Sequence, residues 1–183
     1  MIQKIRYRFI YMSTIALFIV LVTLIGGIVG VSYYRAKQQI DNVLIILLQN
    51  NGKINSQINT QNVKKRFGPT FNQESLYQYR YFSVSFNSKG KQVSLDNSHI
   101  VSVPSETISS LGYQVFRSKR QSGSVRSVVS SYAYKTSKKN GKTTIVFLDQ
   151  SVIMESTNNI VKVGMILGIT SPVSYTHLTL PDD

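Results

Sequence analysis

Residues 9–31 form a run of 23 positions without a charged side chain. A helix rises about 1.5 Å per residue, so the run reaches roughly 34 Å, enough to cross a hydrocarbon core of about 30 Å. The apolar pattern then narrows. Ile40, Val43, Leu44, Leu47 and Leu48 fall at i, i+3, i+4, i+7 and i+8, one stripe of a helix that continues to the stop signal Asn50-Asn51-Gly52. Such a stripe faces the domain's own sheet or a partner helix in a dimer, and both assignments stay open along its length. Residues 53–71 are polar, with the basic run Lys64-Lys65-Arg66 and then Gly68-Pro69. They read as a loop or weak helix whose cations are solvated surface.

The pattern next turns to period two. Phe82, Val84 and Phe86 alternate with serines, Asn87-Ser88-Lys89-Gly90 turns the chain, and Val93 and Leu95 alternate again. This is a hairpin. Ser105 is placed to cap a helix whose apolar positions Ile108, Leu111, Val115 and Phe116 share a face, ending before Gln121-Ser122-Gly123. Residues 125–129 and 132–136 are expected to be short strands. Lys138-Lys139-Asn140-Gly141 is expected to turn, and 143–148 to form a strong β-branched strand. Asp149 or Ser151 can cap a last helix carrying Val152, Ile153 and Ile160. The order is helix, two strands, helix, three strands, helix. It predicts an α+β fold, a membrane-anchoring helix followed by a PAS-like antiparallel sheet domain with flanking helices and the start of a second membrane helix.

That second helix breaks off. Residues 160–170 supply about 16 Å, half a bilayer, with Lys162 near the outer end, where its stem can carry the charge to the interface. The sequel SPVSYTHLTLPDD is too polar to stay in hydrocarbon and carries a proline. Residues 173–181, VSYTHLTLP, match the translation of one frame of a transposase mosaic-end sequencing adapter. Residues 172–183 are therefore set aside from fold reasoning, and the natural chain is expected to run on from about Ser171. The expected organisation is a cytoplasmic N-terminus at 1–8, a first transmembrane helix at 9–32, an extracytoplasmic sensor domain at 33–159, and the start of a second transmembrane helix at 160–171.

Charge sets orientation and partners. Lys4, Arg6 and Arg8 ahead of the first span favour a cytoplasmic N-terminus, against which Arg35 and Lys37 pull more weakly. Signal h-regions run about 7–15 residues, so residues 9–31 read as an uncleaved anchor despite the small residues Gly30 and Ser32. Residues 33–159 hold 17 Lys and Arg against 6 Asp and Glu, a balance that favours anionic partners such as lipid headgroups, envelope polyanions or small anions. Nucleic acid is disfavoured because the basic domain follows a membrane span. The chain has no cysteine, which excludes disulfides and thiolate metal sites.

Catalytic chemistry is sparse, and no residue is assigned to a catalytic, cofactor or metal site. His177 lies in the adapter-like tail; His99, with Asp96 nearby, lacks the further ligands a metal needs and is expected to be structural. Asp41, Glu74, Asp96, Glu106, Asp149 and Glu155 are scattered, which disfavours sensing of divalent cations or cationic peptides. No glycine-rich phosphate loop precedes a helix. Tyr77, Tyr79, Tyr81, Tyr132 and Tyr134 can line an amphipathic pocket, although sheet packing is the plainer account.

Arg80–Val84, RYFSV, followed by AsnSerLysGly, then Asp96 and Ser98-His99-Ile100, a serine-capped helix, Tyr134-Lys135 and TIVFLD at 144–149 running into the return helix, resemble the N-terminal half of sensor histidine kinases from Gram-positive, Clostridium- or Lactobacillus-like bacteria. The resemblance covers about residues 1–171. It implies a homodimeric parent that phosphorylates its own histidine from ATP with Mg and passes the phosphate to a cytoplasmic response regulator. The phosphoacceptor helix and nucleotide-binding domain fall outside the stretch that resembles, so no catalytic residue carries over and no cofactor is expected in these residues. Two other classes stay in view. One is a sensor region for another output, a chemoreceptor or cyclic-dinucleotide enzyme; the other is a non-signalling, single-span envelope-binding protein.

Overall fold

A computed structural model describes residues 2–54, 60–68 and 73–179. The elements are α1 (Ile2–Gln49), α2 (Thr60–Phe67), a 3-10 helix (Gln73–Gln78), β1 (Tyr81–Phe86), β2 (Gln92–Asp96), α3 (Ser105–Ser118), β3 (Ser122–Arg126), β4 (Ser131–Lys139), β5 (Lys142–Asp149) and α4 (Ser151–Thr179). The chain divides into two compact units, residues 1–36 with 154–183, and residues 37–153.

In the first unit, most side chains of α1 are exposed although they are apolar, Phe9, Leu17, Ile19 and Leu24 among them. Thr14 and Thr23 turn their hydroxyls back onto the carbonyls of Ile10 and Ile19, at 2.9 and 2.8 Å. Their polar groups are thus satisfied inside the helix, as a lipid environment demands. α4 packs on α1 through a small residue: a Cβ added at Gly164 would lie 2.8 Å from Ile25 Cγ2. Among the described residues α1 is the helix long and apolar enough to cross a membrane, by length and composition. α4 stays helical to Thr179, through Pro172; what changes at the end of the apolar stretch is polarity, not backbone geometry. Residues 180–183 of the adapter-like tail lie outside the described residues.

The second unit is a five-stranded antiparallel sheet in the order β2-β1-β5-β4-β3, covered on both faces. Alternate side chains of a strand face opposite ways. Phe82, Val84 and Phe86 of β1, Ile145 and Phe147 of β5, and Tyr132 and Tyr134 of β4 form one core with Ile108, Leu111 and Val115 of α3. Gly112 lets α3 approach, since a Cβ there would come 3.2 Å from Val84 Cγ1. Tyr81, Ser83, Val146 and Leu148 bury the opposite face, toward the outer part of α1. Lys135 of β4 bonds Asp41 at 2.5 Å, and Gln39 donates to Tyr79 Oη at 2.7 Å. The stripe Ile40, Val43, Leu44 and Leu47 is buried in the chain itself, with Ile46, while Leu48 is half-buried. Sheet packing therefore buries Ile40, Val43, Leu44 and Leu47.

Several turns follow the sequence. Asn51 and Gly52 adopt φ 55 and 82, and Gly52 N–H bonds back to Leu47 O at 2.7 Å, closing α1 in a left-handed cap. Asn87 Oδ1 accepts the N–H groups of Lys89 and Lys91 at 3.0 and 2.8 Å. Asn140 and Gly141 both have positive φ, the two-residue turn that suits a twisted hairpin.

Three expectations need correction. Ser105 does not cap α3: Pro104 holds the extended N-cap position, with no side-chain cap bond, and its carbonyl accepts Ile108 N–H at 3.1 Å. The proline's fixed φ sets the helix entry, so Ser105 is the first helical residue. β3 lies at Ser122–Arg126, not 125–129, because a turn closed by Ser127 N–H to Ser130 O at 2.9 Å puts Val128 and Val129 at its tip. β4 extends through Lys138 and Lys139, which were expected to turn; Lys139 pairs Lys142 and only Asn140-Gly141 reverses the chain. Of the expected loop or weak helix, 60–67 is helical, while 55–59 and 69–71 lie outside the described residues.

Candidate functional site

The core on the α3 face ends at Tyr134 and Ile145. By strand alternation, Thr136 and Lys138 of β4 and Thr143 of β5 continue that face beyond the end of α3. The sheet outruns its covering helix. The result is a groove of about 710 Å³, with Lys138 on the hairpin wall and Lys119 and Arg120 on the α3 wall. Val115, Phe116 and Ile145 supply apolar lining. Phe116 is held by the Phe86 ring, centroids 4.7 Å apart, and by the turn at Gly90, where a Cβ would sit 3.3 Å from its ring. Gln121 O accepts Thr136 N–H at 2.8 Å, and Ser88 Oγ donates to Gly141 O at 2.7 Å, so the rim is tied across elements. Among the described residues no acidic side chain lines the groove, and its three cations make no ion pair.

Lys119 adopts φ 56, the left-handed position where a helix commonly ends in glycine. A side chain there costs roughly 1–2 kcal/mol. The cation thus sits at the groove at some conformational expense, with its N–H on Phe116 O at 3.4 Å.

A second cluster lies where β5 passes into α4. The Asp149 side chain is 1% exposed. Its Oδ1 accepts Ser130 Oγ at 2.7 Å, Ser151 Oγ at 2.6 Å and Ser151 N–H at 3.0 Å. Arg80 lies 3.7 Å from Oδ2 and donates to Ser102 Oγ at 2.5 Å, while Arg80 O accepts Asp149 N–H at 2.9 Å. One carboxylate therefore joins the β3–β4 turn, the entry to β1 and the first turn of α4. The sequence marked Asp149 as a cap; Ser130 and Arg80 are distant in the chain and carried no signal. Beside it, burial pushes the Tyr132 phenol above its ordinary pKa, the Asp149 charge adds to this and Arg80 opposes it.

His99 packs against aromatic residues. It stacks on Tyr81, ring centroids 4.5 Å apart and 19° from parallel, with Tyr77 at 6.3 Å. Among the described residues no group of three His, Asp or Glu is placed to hold a metal. Asp96 bonds Ser98 and pairs with Lys53 at 3.3 Å. Burial alone would raise its carboxyl, but the Ser98 N–H and hydroxyl and the Lys53 ammonium outweigh that and hold it below its usual value. The tyrosines divide: Tyr81, Tyr132 and Tyr134 are buried in the sheet, and Tyr77 is exposed.

Tyr81 carries a testable pH signature. Burial pushes its phenol up to about 12, helped by the charges of Asp96 and Tyr77 and opposed by the N–H of Ile54, 2.9 Å from its oxygen. A raised folded pKa contributes stability that is complete below the unfolded value near 10 and is lost as pH rises toward 12. Between pH 9 and 11.5 the wild-type chain should lose about 2 kcal/mol more than Tyr81→Phe, read by denaturant unfolding in detergent. Parallel curves for the two proteins would show that Tyr81 does not titrate this way.

No protein-family model matches this chain, and no curated protein matches it either.

Proposed function

We propose that the chain is the membrane-anchored signal-input region of a two-component sensor histidine kinase, with its N-terminus cytoplasmic and a PAS-like domain outside the membrane. One observation carries the reading: the sheet unit is built onto both of its chain connections. α1 runs without interruption from the apolar segment into the helix that buries one sheet face. β5, the central strand, passes through Gln150 directly into α4, whose first turn Asp149 holds. A change in the sheet is thereby linked to two helices rather than to flexible tethers. A ligand moves such a system only if it binds the two signalling states with different affinity. In this reading α1 is the first transmembrane helix, α4 begins the second, and the active form is a homodimer whose cytoplasmic kinase part, with ATP and Mg, serves a response regulator.

The chain lacks cysteine, so a single Lys89→Cys in the exposed β1–β2 turn gives a clean topology probe. A membrane-impermeant maleimide should label it on intact cells; labelling only after lysis would reverse the orientation and remove the sensor reading. That α1 is the helix meeting the length and apolarity of a span among the described residues favours one rival, a single-span envelope-binding protein. Adapter-trimmed reads of the locus separate the two. The sensor reading expects about 8–12 further apolar residues after Thr170, then a Lys- or Arg-rich flank and a phosphoacceptor motif. Reads that still encode residues 174–181 favour the rival.

A further inference from the structure

We infer that the groove between α3 and the β4–β5 hairpin binds a soluble organic anion, a carboxylate or phosphate monoester on a short apolar body. The inference rests on the sensor reading for its meaning, and names the ligand class that such a domain detects.

Cations at a helix C-terminus have an ordinary explanation, because they complement the negative end of the helix dipole. Lys119 and Arg120 fall under it. Lys138 does not: it comes from the far strand and faces the same space. Three like charges around one cavity, with no carboxylate among its lining residues, repel one another, and an anion relieves that repulsion. Lys119 also places a cation at a helix-ending backbone position that favours glycine. The anionic group has a further partner, since Thr143, on the α3 face of β5, lines the groove and its hydroxyl has no protein partner among the described residues. Val115 and Ile145 are already buried by the protein, so the half-buried Phe116 ring is the apolar lining that an inorganic ion would leave uncovered. A short apolar body beside the charged head covers that ring, and the volume lies within the roughly 300–1,000 Å³ of small-molecule sites.

The test uses the full chain in phosphatidylcholine nanodiscs at physiological salt, titrated calorimetrically with hexyl phosphate. Binding should be saturable, tighter than for inorganic phosphate, and absent for hexyltrimethylammonium. Arg120→Ala and Lys138→Ala should each weaken it about tenfold, the value of one charge-assisted hydrogen bond, whereas Lys64→Ala on α2 should not. Lys119→Gly keeps the assay independent of folding damage, because it removes the charge and the backbone strain together. It should weaken binding while leaving the unfolding midpoint equal or higher. Equal losses for Lys64→Ala and Lys138→Ala would reduce the effect to general surface charge and overturn the inference. So would hexyl phosphate binding no tighter than inorganic phosphate. Competition by phosphatidylglycerol in the disc would assign the groove to a lipid headgroup and overturn the soluble ligand. Absence of binding with Lys89→Cys still labelled from outside defeats this inference alone; binding with labelling only after lysis defeats the sensor reading and leaves the groove.

Discussion

Phe147→Ala should cost the sheet unit about 3–5 kcal/mol, a large part of the margin of a domain whose total stability is typically about 5–15 kcal/mol. Phe147 is fully buried in β5, the central strand. Its ring stacks on Phe82 at 4.7 Å and 16°, and Tyr134 lies at 6.0 Å. Truncation removes the transfer energy of the ring, the aromatic pair and the packing that α3 presses against, and the cavity lies where two strands prevent collapse. Urea unfolding in detergent should show a lower midpoint with an unchanged slope. Val128→Ala is the matched control, because Val128 is 104% exposed at a hairpin tip and should move the midpoint by no more than about 0.5 kcal/mol. Equal shifts for the two variants would mean that the sheet does not pack as described.

The contrast between Phe147 and Val128 also shows what the sequence could convey. Both lie in β-branched or aromatic runs, and local pattern alone made both strand residues. Thr143–Leu148 was legible because a buried central strand reads as a continuous apolar run bounded by the Asn140-Gly141 turn. Residues 125–129 misled because an apolar pair in a turn imitates a strand, and pairing with β4, a property of the whole sheet, decides the register. The cap of α3 was misassigned for a local reason, since serine is the commoner N-cap but Pro104 already occupies the extended position. The amphipathic extension of α1 was legible in its stripe, yet only the folded sheet shows which of its positions the strands bury.

The groove was not legible. Its cations stand at 119, 120 and 138, and a site that exists because two strands outrun a helix has no sequence motif. Composition gave only an excess of positive charge, not where it gathers. The stack of His99 on Tyr81 likewise depends on a loop returning over β1, so the sequence could assign His99 a structural role without saying against what.

Asp149→Ala should cost about 2–3 kcal/mol and loosen the start of α4. Removing one partner of a buried ion pair costs about 3–5 kcal/mol, but Arg80 is partly exposed, at 43% of its side chain, and water can take over part of its solvation. The remaining loss falls on Ser130 and Ser151, whose hydroxyls, together with the Ser151 N–H, lose the acceptor on Oδ1. Asp149→Asn keeps a carbonyl oxygen for those donors and loses only the charge facing Arg80, so it should cost about 1 kcal/mol. Hydrogen exchange locates the effect: amides of the first turn of α4 should exchange faster in Asp149→Ala, while those of Leu111 and Gly112 in α3 change much less. Uniform acceleration through both helices would mean that Asp149 serves overall stability and not the junction. The distinction bears on function. The node joins the β3–β4 turn, β1 and α4, so if the proposed sensor function holds, Asp149→Ala should fix the output at one level with or without ligand, while Asp149→Asn keeps part of the response.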